Sequence, residues 1–257
     1  MNMIRTALVA GVVAVTASMT FSSANAAGDA PHAPEHHWSF SGLFGTYDRA
    51  ALRRGFEVYN GVCAGCHSLR LVAYRNLMDI GFTEAEVKAI AADVDVPAEP
   101  NEEGEIEDRP GIPADKFKSP FANENAARAS NGGALPPDLS LIIKARLNGS
   151  NYVNGLLTGY TDAPAGEEVP EGMYYNANFS GHLIAMAPPL SDEGVDYADK
   201  TKATVKQQAE DVVTFLTWAA QPELEERKRM GIKVILFLLL MTGLLYVLKR
   251  RIWADVH

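Results

Sequence analysis

The only two cysteines of the chain, Cys63 and Cys66, are followed directly by a histidine, His67. The Cys-x-x-Cys-His pattern predicts covalent attachment of a c-type haem. Two thiols about one helical turn apart can form thioethers to the two vinyl groups on one edge of the macrocycle. The next residue then presents an imidazole to the iron. We therefore predict one haem c, bound through Cys63 and Cys66 and ligated by His67.

The same spacing of cysteines has two other uses. A redox-active dithiol favours a βαβ setting, and no such pattern surrounds this motif. A structural zinc site needs four ligands, and no second pair of cysteines or histidines lies at a usable spacing. Haem attachment is therefore the favoured interpretation of the motif.

The N-terminus, residues 1–26, is typical of an export signal. Arg5 precedes an apolar stretch that runs from Ala7 to about Val15, and Ala24-Asn25-Ala26 fits a small-x-small cleavage site. The apolar stretch is too short for a transmembrane helix. We expect cleavage after Ala26 or Ala27, and a mature chain that works in the bacterial periplasm or an equivalent space.

A second apolar stretch, from Gly231 to Leu248, contains a single charge at Lys233. As a helix it would span roughly 27 Å, close to the roughly 30 Å of a bilayer core. The basic run Lys249-Arg250-Arg251 favours a cytoplasmic C-terminus, although the opposing cluster Arg227-Lys228-Arg229 precedes the span. The sequence thus predicts a single-pass protein of the bacterial inner membrane. Its expected regions after the signal are a periplasmic haem domain at 27–229, an anchor at 230–249 and a cytoplasmic tail at 250–257.

The formal charge of the chain is −9, and without the signal and residues 230–257, which together carry +4, the exported part carries −13. Such a charge disfavours nucleic acid as a partner and favours docking of a basic protein, although solubility alone would also explain it. Many of the acidic side chains lie in 93–108, which we predict to be a solvated loop. A surface that faces a partner is the alternative interpretation of this segment.

The periodicity of apolar residues is mainly helical, and strand alternation is scarce. Asp48 is the expected N-cap of the first helix, and Thr204 with Gln207 forms a capping box for the last soluble helix. Further helices are predicted to begin at Thr83-Glu84, at Ala122, at Leu139 and at residue 151. The fold class is therefore mainly α.

A haem ligated by one histidine either leaves its sixth position open or closes it with Met or His. Met186 is favoured because Pro188 and Pro189 stiffen the backbone beside a weak thioether ligand. Met173 and His182 remain alternatives, and a methionine that only fills the core is the simplest one. Arg146 is a candidate partner for a haem propionate, with an ordinary surface arginine as the alternative.

Several longer motifs accompany the haem motif. Together they resemble the cytochrome c1 family, and the similarity covers nearly the whole mature chain. The stretches that carry it are Val62–Ser68, Asn131–Ser140, Leu156–Tyr160, Met186–Pro189 and Trp218–Pro222 leading into Arg227–Gly231.

This resemblance implies a mainly helical cytochrome c-like haem domain with a single C-terminal transmembrane helix. Its first helix would cross the last soluble one, with Gly55 and Phe56 against Leu216 or Phe215. The resemblance also implies Met186 as the second iron ligand and Arg146 as a propionate partner. The implied haem-binding residues beside the motif are Asn131, Ala134, Pro136, Pro137, Arg146, Tyr152 and Met186.

The resemblance further implies one-electron transfer within the ubiquinol–cytochrome c reductase, which is expected to be dimeric. A Rieske iron–sulfur protein would be the donor, a soluble or tethered cytochrome c the acceptor, and cytochrome b a further partner. Two other functions stay open, a stand-alone membrane-tethered c-type cytochrome shuttle and a haem enzyme or gas sensor with an open distal face. Some bacterial relatives stiffen the loop before the methionine with a disulfide. This chain has no cysteine for it, so another device must stiffen residues 160–185.

Overall fold

The computed structural model describes residues 33–256. The expected export signal at 1–26 therefore lies outside the described residues. The described part contains six α-helices and four short β-strands, with 3₁₀ helices at Cys63–Gly65, at Tyr74–Ile80 and, after the last α-helix, at Ala254–Val256. The elements are α1 Arg49–Gly61, α2 Glu84–Ala92, β1 Asp95–Pro97, β2 Asp108–Pro110, α3 Glu124–Ser130, α4 Gly149–Thr158, β3 Tyr174–Tyr175, β4 Leu183–Ile184, α5 Val205–Ala220 and α6 Leu224–Ile252.

Helix α1 begins where its cap residue predicts. The Asp48 carboxylate accepts hydrogen bonds from the backbone N–H groups of Ala50 and Ala51, which have no partner within the helix. The buried face of α1 carries Leu52, Phe56 and Tyr59 at helical spacing. Because α1 ends at Gly61, the haem motif follows it directly, and the buried face fixes where the motif lies.

Helix α1 crosses α5, as the resemblance implied. A Cβ atom at Gly55 would lie 2.7 Å from the Cβ of Phe215 and would overlap the carbonyl of Asp211, so only glycine permits this close approach. The Phe56 and Phe215 rings pack edge to face beside it, with centroids 5.9 Å apart. Helix α5 itself begins after Thr204, whose hydroxyl accepts from the Gln207 N–H as predicted. The second half of the predicted capping box does not form, because the Gln207 side chain bonds to Asp211 and the Thr204 N–H bonds to the Lys202 carbonyl.

A buried ion pair holds the same crossing. The Arg54 guanidinium donates from Nε and Nη2 to the two carboxylate oxygens of Asp211, at 2.8 and 2.9 Å. The Asp211 side chain is 1 % exposed. Asp199 accepts a third bond from Arg54, and the Gln207 amide donates to Asp211. A carboxylate buried to this extent requires such partners, so the pair ties α1 to α5.

The acidic segment is more ordered than the predicted loop. Strands β1 and β2 pair antiparallel, with Val96 opposite Arg109, and Arg109 forms a two-bond pair with Asp115. The predicted loop is therefore a hairpin, although its solvation is confirmed because every acidic side chain in it is exposed. With only three residues on each side, this strand pair is too short to give a recognisable strand pattern in a sequence rich in charges and prolines.

The helix predicted from Leu139 is replaced by a series of turns that runs to α4. Helix α6, by contrast, is continuous over 29 residues, with a mean hydropathy of 2.3 in its most apolar window, none of which is buried. Among the described residues it is long and apolar enough to span a membrane. Pro222 lies between α5 and α6, so the anchor begins a new helix rather than extending α5.

Candidate haem site

The haem motif forms a tight turn at the end of α1. The N–H groups of Cys66 and His67 both donate to the Cys63 carbonyl, at 3.1 and 2.8 Å. No disulfide joins the two sulfurs. Burial, and to a smaller extent the nearby Cys66, raises the pKa of the Cys63 thiol to about 12. A redox-active dithiol needs a depressed thiol pKa, so this environment disfavours that alternative.

The His67 ring is oriented by a carbonyl group from a distant part of the chain. Its Nδ1 lies 2.8 Å from the backbone oxygen of Pro137. A carbonyl only accepts, so Nδ1 carries the proton and Nε2 keeps its lone pair. Burial lowers the pKa of His67, which favours the neutral ring that binds a metal. Among the described residues Nε2 has no hydrogen-bond partner, so it is available as an iron ligand.

Asp138 fixes the segment that supplies this carbonyl. Its Oδ2 accepts from the Ser68 hydroxyl at 2.8 Å and from the Arg70 backbone N–H at 2.9 Å, and its Oδ1 accepts from the Ser140 N–H. Burial acts to raise the pKa of Asp138, but these hydrogen bonds outweigh it and hold that pKa at about 2. Asp138 therefore joins the residues after His67 to those after Pro137.

A cavity of about 340 Å³ lies against the motif. Cys66, Pro136 and Pro137 line one part of it, and residues 119–124 line another. Its size lies at the lower end of the roughly 300–1,000 Å³ of ligand pockets. Cys66 is exposed beside this space, so a group attached to its sulfur has room there.

Asn131 and Ala134 shape the turn that delivers the two prolines. The Asn131 amide donates to the Ala127 carbonyl at 2.7 Å, and the Ala134 N–H donates back to the Asn131 carbonyl. Gly132 and Gly133 between them have φ angles of +59° and +91°, which glycine adopts without strain. The turn therefore ends α3 and directs Pro136 and Pro137 toward His67.

Arg146 and Tyr152 lie on either side of the start of α4. The guanidinium of Arg146 is exposed and donates only to the neighbouring Ala145 carbonyl within the described residues, so it is free to bind a carboxylate. Tyr152 packs half-buried against the core. Leu147 beside Arg146 is 89 % exposed.

Met186 lies half-buried in a strap that follows the small β3–β4 sheet. Its carbonyl accepts a hydrogen bond from the hydroxyl of the half-buried Tyr160, at 3.0 Å. Of the other candidate ligands, His182 has a left-handed backbone with φ of +59°, and its ring stacks on Tyr175. Its backbone and ring are thus engaged within the turn, whereas the Met186 thioether makes no hydrogen bond among the described residues.

A family comparison accounts for these features. The model of the Cytochrome C1 family matches residues 38–256. The chain belongs to the cytochrome c1 family.

Similar proteins occur in plants, bacteria and fungi. "Cytochrome c1 1, heme protein, mitochondrial" of Arabidopsis thaliana is 52% identical, over 87% of this chain and 74% of that protein. "Cytochrome c1" of Rhodospirillum rubrum is 48% identical over 85% and 86%, respectively. The "Cytochrome b-c1 complex catalytic subunit, mitochondrial" of Candida albicans is 46% identical over 98% and 88%. The mainly helical fold class and the c-type haem cofactor are thereby confirmed, and the chain is a membrane-anchored haem subunit in electron transfer.

The residues present fit a c-type haem, because a cysteine pair on one turn, a neutral imidazole with free Nε2 and an adjoining cavity occur together. The structure brings Cys63, Cys66, His67, Pro136 and Pro137 into one place. Among the described residues, no hydrogen bond joins this group to Arg146, Tyr152 or Met186. The haem-binding roles of those three remain predictions.

Sequence reasoning missed the residues that stiffen the loop before Met186, residues 160–185, in this cytochrome c1 family member. Asn176 is fully buried, its amide donates to the Leu156 carbonyl at 2.8 Å, and its Oδ1 accepts from the Asn178 N–H. The Asn178 amide in turn donates to the Gly155 carbonyl. These bonds fasten the loop to the end of α4 without a disulfide. The two asparagines in Tyr175–Asn178 were a visible signal, because asparagine often bonds to nearby backbone in turns.

Proposed function

We propose that this chain passes single electrons from a Rieske iron–sulfur protein to a cytochrome c, as the membrane-anchored haem subunit of a quinol–cytochrome c reductase. The observation that carries the proposal is the His67 imidazole, held through Nδ1 by the Pro137 carbonyl with Nε2 free beside two cysteines. Such an arrangement suits an iron ligand whose orientation does not change between redox states.

When bound, the haem supplies reversible one-electron chemistry at its iron. Cys63 and Cys66 would hold it covalently, and His67 would provide the first iron ligand. Met186 would provide the second, which raises the potential relative to a second histidine. Arg146, Asn131, Ala134, Pro136, Pro137 and Tyr152 would complete the binding pocket, with the Arg146 guanidinium available for a propionate.

Replacement of the distal ligand tests this part of the proposal. Met186→Leu should lower the midpoint potential and allow the reduced protein to bind CO. Met173→Leu is the matched control, because Met173 is the alternative ligand in the same loop. An unchanged potential in Met186→Leu would remove Met186 from its role, and rapid CO binding by the unaltered protein would favour an open distal face.

Membership of a complex is tested by purification in mild detergent. We expect a b-type cytochrome and a Rieske protein to accompany the chain in a dimeric assembly. The relative from Candida albicans is named as a subunit of the cytochrome b-c1 complex, which supports this expectation. Release of a monomer without either partner would favour the stand-alone tethered shuttle instead.

The proposed orientation places the haem domain in the periplasm and the C-terminus in the cytoplasm. It is supported by Lys249, Arg250 and Arg251 at the end of α6, since basic residues favour the cytoplasmic side. An epitope tag after His257 should be digested by protease in inside-out vesicles and protected in intact spheroplasts. The reverse pattern would overturn the orientation.

Docking of a basic cytochrome c would use the negative surface. Electron transfer to it should slow as salt rises, because exposed charges are screened beyond roughly 8–10 Å at physiological ionic strength. Stopped-flow kinetics over a salt series measures this dependence. A flat response would exclude electrostatic docking.

A further inference from the structure

Two large apolar side chains protrude from a closed turn ahead of α1. Leu43 is 57% exposed and Phe44 is 80% exposed. The turn is ordered by backbone bonds from Ser41 N–H to the Trp38 carbonyl and from Thr46 N–H to the Ser39 carbonyl. Gly42 at φ +70° permits the reversal. The exposed pair therefore sits on a defined support, which we call the 41–45 turn.

The 41–45 turn is held by the anchor helix. The Lys228 ammonium on α6 donates to the Phe40 carbonyl at 2.6 Å and to the Gly45 carbonyl at 3.0 Å, so it grips both ends of the turn. Nearby, the Glu225 carboxylate of α6 accepts from the Tyr47 N–H at 2.8 Å and from the Arg49 guanidinium at 2.9 Å. The position of the turn is thus set by α6.

These contacts fix the level of the turn relative to the apolar part of α6. Lys228 precedes Gly231, the first residue of the apolar stretch, by three positions. At a rise of 1.5 Å per residue this separation is about 4.5 Å along the helix axis. The headgroup region on each side of a bilayer is about 5–7 Å thick. If α6 spans a membrane, the contacts of the turn lie at headgroup level.

We propose that Leu43 and Phe44 insert into the lipid at the boundary between headgroups and acyl chains. The haem domain would then have a second contact with the bilayer beside α6, which restricts its tilt. The exposed Arg227 and Arg229 lie on the same part of α6, and their guanidinium groups suit lipid phosphates. Two side chains are too small a patch for a stable protein interface, which buries about 1,200–2,000 Å², but suffice for an interfacial lipid contact.

A spin label at position 44 tests the inserted position. The proposed haem attachment consumes Cys63 and Cys66, so Phe44→Cys introduces the only reactive thiol of this chain. The holoprotein is labelled, assembled with its co-purifying subunits and placed in phospholipid nanodiscs. Collisions with oxygen, which concentrates in lipid, are compared with collisions with a water-soluble nickel chelate. At position 44 we expect collisions with oxygen to exceed collisions with the nickel chelate.

Two control labels define the scale. Ile106→Cys places a label on an exposed apolar residue of the acidic hairpin, where the nickel chelate should dominate. Leu240→Cys places one in the middle of α6, where oxygen should dominate if α6 spans the bilayer. Dominance of nickel at 44 would place the turn in water, and shielding from both reagents would place it under another subunit. Either result overturns the proposal, and the label at 240 separates this failure from a failure of the anchor.

A second measurement follows the orientation of the haem domain. In oriented membrane layers, electron paramagnetic resonance gives the spread of haem angles about the membrane normal. The double substitution Leu43→Ser with Phe44→Ser should broaden that spread, whereas Ile106→Ser should not. Both changes remove exposed side chains, so folding is preserved. An unchanged spread in the double variant would contradict insertion.

Discussion

The Nδ1 atom of His67 lies 2.8 Å from the carbonyl oxygen of Pro137, a residue 70 positions away. The orientation and basicity of the imidazole therefore depend on the segment that carries Pro137. That segment is held by Asp138, which binds Ser68 on the other side of His67. The properties of the iron site thus depend on a carboxylate that the haem motif does not include.

Replacement of Asp138 should weaken this arrangement. Asp138→Asn presents an amide to donors on Ser68 and Arg70, so we expect a loss of about 1–3 kcal/mol in the free energy of unfolding. The midpoint potential should rise, because a less firmly held Pro137 carbonyl makes the imidazole a weaker donor to iron. Urea unfolding and redox titration measure the two effects. Asp162→Asn, at an exposed site without hydrogen bonds from described residues, should change neither.

The same carboxylate predicts a pH dependence of stability. Asp138 has a folded pKa of about 2, below its usual value of 3.8. A depressed acid pKa stabilises the folded state above the unfolded value, so its contribution is full above about pH 4 and is lost as pH falls toward 2. The contribution is roughly 2 kcal/mol. The difference in unfolding free energy between the unaltered chain and Asp138→Asn should shrink over this range, and a constant difference would exclude the effect.

The close approach of α1 and α5 depends on the absence of a side chain at Gly55. Gly55→Ala forces the helices apart, because its Cβ would overlap the Asp211 carbonyl. We expect a loss of about 1–3 kcal/mol in unfolding free energy, as for other overpacked sites. Gly61→Ala is the matched control at the end of the same helix, where no atom lies within 4 Å of the added carbon. If both variants unfold at the same denaturant concentration, close approach is not needed.

The Arg54–Asp211 pair should show strong coupling. Arg54→Met leaves a buried carboxylate without its partner and should cost about 3–5 kcal/mol. Adding Asp211→Leu should restore part of that loss, because the double variant buries no unpaired charge. A double-mutant cycle from thermal or urea unfolding measures the coupling. Additive losses would show that the two side chains act independently.

The loop of residues 160–185 and the Met186 that follows it should become more mobile when the hydrogen bonds that hold them are removed. Asn176→Ala deletes the bond to the Leu156 carbonyl, and Tyr160→Phe deletes the bond to the Met186 carbonyl. We expect losses of about 1–3 and 0.5–1.5 kcal/mol, respectively. Both variants should bind CO faster in the reduced state than the unaltered protein does, since the distal ligand is held less firmly. Glu171→Ala, at an exposed site in the same loop, should behave as the unaltered protein.

The sequence alone predicted the features that depend only on residues close together in the chain. The helix starts predicted at Asp48, Thr83-Glu84 and Thr204 were correct, because the side chain at each start bonds to N–H groups two or three residues away. The length and hydropathy of α6 follow from composition alone. The haem motif likewise needs only five consecutive residues, so the cofactor was predictable before any fold was known.

Tertiary structure decided whatever joins distant residues. A helix was expected from Leu139, but that stretch forms turns, and the Asp138 carboxylate before it also binds the distant Ser68 and Arg70. The Pro137 carbonyl at His67 and the Asn176 bonds behind Met186 join residues 20 or more positions apart. Which of several possible partners a polar group takes depends on how the helices pack, and local sequence patterns carry no record of that choice.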